Sequence, residues 1–109
     1  MVGRKTERQI KNVHKHYGEK ITVSELAASV FLSERECFRI FQECLHMTPM
    51  QYIQNYRLQM ACQMLGETRA SVTEISHACG LGSSSYFGKV FREYMKCTPV
   101  EYRKSLESV

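Results

Sequence analysis

Residues 71–91 read SVTEISHACGLGSSSYFGKVF, and the punctuation of that stretch decides the architecture. Ser71 followed by Glu74 is a capping box: hydroxyl and carboxylate each satisfy one amide donor that a helix start leaves orphaned. A short helix over 72–79 follows. Gly80-Leu81-Gly82 then places glycine where the chain can take the left-handed geometry that ends a helix. Ser83 is a second helix start, and Phe87, Val90, Phe91 and Tyr94 recur beyond it at three and four. That spacing predicts a longer helix over 84–95 with those four on its core side.

The same punctuation runs along the whole chain. Six capping boxes fit: Thr6/Gln9, Thr22/Glu25, Ser33/Glu36, Thr48/Gln51, Ser71/Glu74 and Thr98/Glu101. Thr48-Pro49 and Thr98-Pro99 add proline at the first helical position, where its missing N–H costs nothing. Apolar residues recur at helical spacing between the starts, as in Ile10-Val13-Tyr17 and Ile53-Tyr56-Met60-Met64. No stretch alternates long enough for a strand. The expected fold is all-α, with about seven helices near 6–17, 23–30, 34–45, 49–65, 72–79, 84–95 and 99–105.

The chain also repeats itself. Val23, Glu25 and Leu32 recur as Val72, Glu74 and Leu81 at a spacing of 49. Phe41, Glu43, Thr48, Pro49 and Tyr52 recur as Phe91, Glu93, Thr98, Pro99 and Tyr102 at a spacing of 50. Each copy holds a short helix, a tight turn and a longer helix, which is the helix-turn-helix layout. Two copies are too few for a solenoid and suit a duplicated reading head.

Composition sets bounds on function. At 109 residues the chain has room for one domain, or two very small subdomains sharing a core. It is 43% hydrophobic and 24% charged with two prolines, a globular balance. No apolar run reaches the roughly 18 residues of a membrane span, and the charged first twenty residues hold no secretory signal. All eleven acids are Glu, which weakens any mechanism built on paired aspartates. The net charge of +4 leans towards a polyanionic partner. Five cysteines, at 37, 44, 62, 79 and 97, form no C-x-x-C, so they read as small buried hydrophobes rather than a disulfide framework or zinc site. His14 and His16 are two apart and do not share a helix face; His46 and His77 stand alone. No metal and no cofactor is expected.

Helical faces give the candidate contacts. Over 34–45, Cys37, Ile40, Phe41, Cys44 and Leu45 fall on one side. Arg35, Arg39, Gln42 and His46 align opposite, with Phe38 beside them, and an exposed Phe among arginines suits a thymine methyl. Glu34 and Glu36 favour a helix N-terminus. Over 84–95 the outer line is Ser85, Lys89, Arg92 and Lys96, with Ser84 and Tyr86 on the first turn. In the first helix Arg4, Arg8, Lys11 and Lys15 form a basic stripe opposite Ile10, Val13 and Tyr17, open to phosphate contact or to plain solvation.

These motifs resemble the DNA-binding domain of the AraC/XylS family of bacterial transcription regulators, over about residues 6–105. The most specific segments are Ser71 to Ile75, Ala78 to Leu81, Ser84 to Phe87, Val90 to Arg92 and Thr98 to Arg103. The first half agrees through Val23 to Ala27, Leu32-Ser33, Phe41 and Thr48 to Tyr52, and Arg57, Ala61 and Leu65 match the family's linking helix. Gly82 and Gly88 depart from the pattern on the exposed side. The resemblance implies two helix-turn-helix subdomains, 6–48 and 67–107, joined by a linking helix over 49–66, each placing a recognition helix in the major groove of duplex DNA. Carried over by position, base readout falls to Arg35, Phe38 and Arg39 in the first, and to Ser84, Ser85, Tyr86 and Lys89 in the second. Arg57, Gln42 and Arg92 are the phosphate candidates. A helix over 49–65 is about 25 Å long, which with flanking turns suits the ~34 Å groove repeat.

The expected function is sequence-specific DNA binding for transcription regulation in a bacterial cytoplasm, with RNA polymerase as a further partner and no membrane. A monomer is expected for these 109 residues, with any dimerising or sensing domain lying outside them. The competing reading is a helical protein-interaction module, betrayed by binding whose salt dependence lacks the counterion slope. An enzyme or thiol sensor is the third reading; no nucleophile–base pair or phosphate-cradling glycine loop supports it, and thiol labelling separates it.

Overall fold

The computed structural model describes residues 3–107, and among them every regular element is a helix. The order is α1 (Arg4–His16), α2 (Val23–Ala28), α3 (Glu34–Leu45), α4 (Pro49–Glu67), α5 (Val72–Ala78), α6 (Ser84–Met95) and α7 (Pro99–Glu107). Local chemistry explains the starts. Ser33 with Glu36 and Ser71 with Glu74 form complete capping boxes. Thr48 with Gln51, and Thr98 with Glu101, exchange the same reciprocal hydrogen bonds, 2.8 and 3.1 Å in each pair. Thr22 and Ser83 accept from the amides of Glu25 and Tyr86 at 3.1 Å.

Thr6/Gln9 is not a cap. α1 starts two residues earlier, with Gly3 as its N-cap, and both side chains are buried inside the helix. The Gln9 amide donates to the Leu26 carbonyl at 3.3 Å and to Cys37 Sγ at 3.2 Å, while its own carbonyl oxygen, Oε1, has no partner. A capping box is a local pattern, and here burial against α2 and α3 claims the two polar side chains instead.

The chain divides into two compact units, with the boundary between Tyr56 and Arg57 inside α4. In the first unit Val13, Leu26, Ala27, Cys37, Phe41 and Ile53 form the core, so α1, α2 and α3 close on one another and on the start of α4. His14 stacks on Tyr56 with ring centroids 4.1 Å apart, and its Nε2 lies 2.8 Å from the Tyr52 hydroxyl. In the second unit Leu58, Ala61, Leu65, Ile75, Cys79, Leu81, Phe87 and Phe91 are buried. Phe91 meets Phe87 and Tyr102 edge to face at 5.6 and 5.7 Å, a favoured aromatic arrangement that ties α6 to α7. Arg103 donates to the Leu65 carbonyl at 3.0 Å and so satisfies an acceptor at the end of α4.

Tyr94 departs from expectation. Its helical angle points to the core side, yet the ring is 40% exposed because it sits in the last turn of α6, beyond the buried Phe91. Helical angle fixes direction and leaves open where along the axis the core stops. On α3, Cys37 and Phe41 are fully buried, while Ile40, Cys44 and Leu45 are half-buried.

Candidate nucleic-acid interface

Both turns that precede the longer helices are built alike. The Leu32 amide donates to the Ala27 carbonyl at 2.9 Å, and the Leu81 amide to the Ser76 carbonyl at 2.8 Å. The residue before each leucine is left-handed, Phe31 at φ 59° and Gly80 at φ 71°. The longer helices also end alike: His46 and Lys96 take left-handed caps at φ 57° and 64°, donating to the carbonyls of Gln42 and Arg92. Backbone geometry therefore presents α3 and α6 from two equivalent frames.

On α3, Arg35, Arg39 and Gln42 are exposed on the side away from Cys37 and Phe41, and Phe38 is exposed on the flank beside them. Phe38 is 42% exposed. Arg39 reaches Glu43 at 3.5 Å, a contact between two well-exposed side chains. Such pairs contribute little, and the guanidinium is readily surrendered to another anion. Glu36 is held back for the cap. Its hydrogen bonds from the Ser33 amide and hydroxyl, with the charges of Arg39 and Lys5 adding, keep its carboxyl below the ordinary range. That accounts for an acid on this face without placing it against phosphate.

On α6, Ser84, Ser85, Tyr86, Lys89 and Arg92 are exposed. Ser84 and Ser85 leave the first turn bare of bulk, while Tyr86 is 49% exposed. The charge of Arg92 reaches Glu101 on α7 and helps keep that carboxyl ionised, behind the larger effect of the Thr98 hydrogen bonds. Arg57 differs from the other candidates. It is half-buried on α4, its guanidinium pKa is pushed down by burial, and Tyr86 and Cys79 lie close enough to oppose that shift. Burial also pushes the Cys79 thiol up to about 11, so this sulfur is an inert neutral group at physiological pH.

All five cysteines are free. Among the described residues no group of three or more His, Cys, Asp or Glu is placed to hold a metal. Among the same residues no helix is long and apolar enough to cross a membrane. Phe31, 90% exposed in the turn that leads into α3, escaped the sequence reading. The signal was present in the repeat, since Phe31 occupies the place of Gly80.

Residues 26–105 match the family described as a helix-turn-helix domain. The AraC-type DNA-binding protein of Chromobacterium violaceum superposes with a TM-score of 0.89 at 28% identity, covering 94% of this chain and 91% of that one. The chain belongs to the AraC-type helix-turn-helix family. A second family structure, the DNA-binding domain of AdpA in complex with a target DNA, gives a TM-score of 0.90 at 25% identity and covers 94% of this chain and 92% of that one. The regulator YdeC of Bacillus subtilis is 40% identical over 92 residues, 84% of this chain and 32% of that protein. The regulator GbdR of Pseudomonas aeruginosa is 38% identical over 86 residues, 79% of this chain and 23% of that protein. The chain thus spans about a third or less of these family members.

Proposed function

We propose that this chain binds duplex DNA in a sequence-specific manner for transcription regulation, with α3 and α6 as recognition helices in successive major-groove segments. The observation that carries this reading is the paired frame: two turns with the same amide-to-carbonyl hydrogen bond, each followed by a helix whose outer face is polar. Likeness to a domain bound to its target DNA supports it. Arg35, Phe38 and Arg39 read bases from α3, and Ser84, Ser85, Tyr86 and Lys89 from α6. Gln42, Arg92 and Arg57 hold phosphates. Half-buried, Arg57 serves as a phosphate contact only where a backbone passes close to Tyr86. The 109-residue chain acts as a monomer on an asymmetric site in a bacterial cytoplasm, without catalysis. RNA polymerase is an additional partner, reached from surfaces that the duplex leaves free.

Selection from a random duplex pool tests the reading. The enriched sites are expected to hold two conserved segments about 10 bp apart. A pool that shows no enrichment over several rounds, with binding that persists on any sequence, contradicts it.

A further inference from the structure

The whole chain carries a net charge of +4. α1 alone accounts for a surplus of that size, with five Lys and Arg against one Glu. Arg4, Arg8, Lys11 and Lys15 stand on it at intervals of three and four, all exposed. At about 100° per residue they fall within an arc of about 60°, centred opposite the buried Thr6, Gln9 and Val13. None of the four is in a salt bridge among the described residues.

The direction of this stripe is fixed within the first unit. Gln9 touches Cys37 at 3.2 Å and Thr6 lies 4.0 Å from Cys44 Sγ, so α3 packs on the side of α1 that faces away from the stripe. His14 sets the start of α4 on one flank. On α3, Cys37 and Cys44 in turn lie opposite Arg35, Arg39 and Gln42. The outer faces of α1 and α3 therefore point in opposite directions, separated by two packed helices whose axes are about 8–10 Å apart. A straight duplex seated on α3 leaves the α1 stripe uncovered.

We propose that the basic face of α1 is a second, sequence-independent site for a nucleic-acid phosphate backbone, directed away from the face that α3 offers. The proposal rests on the DNA-binding reading of α3 and α6. Charge complementarity selects the occupant, because the stripe carries no apolar or aromatic side chain. Protein interfaces concentrate their energy in buried aromatic and apolar anchors, whereas backbone contacts need only cations that release counterions. With both sites filled, one molecule bridges two separate duplexes.

The test uses the full chain, a fluorescent duplex of about 25 bp carrying a selected site, and a biotinylated duplex of unrelated sequence. At low salt the protein is expected to carry the fluorescent duplex onto streptavidin beads. The Arg4→Ala/Arg8→Ala/Lys11→Ala/Lys15→Ala variant, checked for folding by circular dichroism, is expected to lose at least ten-fold of this co-capture. Its affinity for the fluorescent duplex alone should stay within about two-fold of the parent, since no altered residue lies on α3 or α6. Bridging through a protein dimer would persist in the variant and overturn the proposal. So would loss of co-capture and specific affinity in equal measure, which would put the stripe on the same duplex. Retention of the parent on immobilised polyglutamate but not on the biotinylated duplex would assign the stripe to an acidic protein and also overturn it. If the fluorescent duplex fails to bind at all, the DNA-reading role of α3 and α6 falls. The stripe is then judged on the biotinylated duplex alone, by whether the four-alanine variant still sticks to it.

Discussion

The two helix-turn-helix copies keep one backbone and diverge in chemistry. In the second, Gly80 takes the left-handed position at φ 71°; in the first, Phe31 is forced there at φ 59° with its ring 90% exposed. The hydrogen bond that follows is nearly the same length in both, 2.9 and 2.8 Å. The outer helices differ more. Residues 33–46 hold Arg35 and Arg39 against Glu34, Glu36 and Glu43, a net of −1, whereas residues 83–96 hold Lys89, Arg92 and Lys96 against Glu93, a net of +2. The comparison teaches that duplication preserves how a helix is presented and leaves what it presents free to change.

The equivalence of the frames is broken most severely at their cores. Phe41 and Phe91 occupy matching places and both are fully buried. Phe→Ala at either is expected to cost about 3–5 kcal/mol. Among the described residues Phe91 meets two aromatic rings and Phe41 meets one, Tyr52 at 6.0 Å, so Phe91→Ala should be the worse of the two in urea unfolding. Equal costs would mean that the second ring beside Phe91 contributes nothing.

The charge contrast is sharpened by paired alanines. Arg35→Ala/Arg39→Ala should relax sequence choice, by about 1–3 kcal/mol for each arginine that grips a base with two hydrogen bonds, and keep a steep salt dependence. Lys89→Ala/Arg92→Ala should flatten the salt slope by about 0.9 for each phosphate released. Titrations at several salt concentrations on a selected and a random duplex separate the two. The reversed order would show that recognition-helix charge does not decide which copy supplies non-specific affinity.

A smaller effect tests the turns. A bulky residue held left-handed is strained by about 1–2 kcal/mol relative to glycine, and the exposed Phe31 ring gains little burial in return. Phe31→Gly is expected to raise stability by up to about 1 kcal/mol after glycine's own entropy cost. Gly80→Ala should lower it by a similar amount. A Phe31→Gly variant that melts lower than its parent would reveal a stabilising role for the exposed ring.

The smallest effect is on pH. Glu36, Glu74 and Glu101 all have carboxyl pKa values lowered from 4.5, chiefly by hydrogen bonds from the backbone of Ser33, Ser71 and Thr98. A lowered folded value means stability that is full above the unfolded value and lost as pH falls through the folded one. Melting temperature should therefore decline as pH drops below 4.5, and Glu→Gln at all three should shallow that acid limb. An unchanged limb would place the acid sensitivity in other carboxyls.

Most of this was legible in the sequence where a local pattern and a tertiary demand agree. Ser33/Glu36 and Ser71/Glu74 start helices because their side chains stay exposed and close the cap locally. Thr6/Gln9 misled because packing of α1 on α3 buried both residues, and no local motif reports that. Tyr94 misled because a helical wheel carries no information about length. Arg35, Arg39 and Lys89 were legible as outward-facing from periodicity alone. Arg57 was not, since its partial burial beside Tyr86 depends on how α4 meets α6.

The central claim, that one chain reads two groove segments with two unequal heads, is tested most directly by changing their spacing. Insertion of about 5 bp between the two segments of a selected site turns one of them about half a helical turn away. The insertion is expected to remove most of the specific affinity, leaving binding close to that of the better half-site alone. Affinity unchanged by the insertion would contradict it.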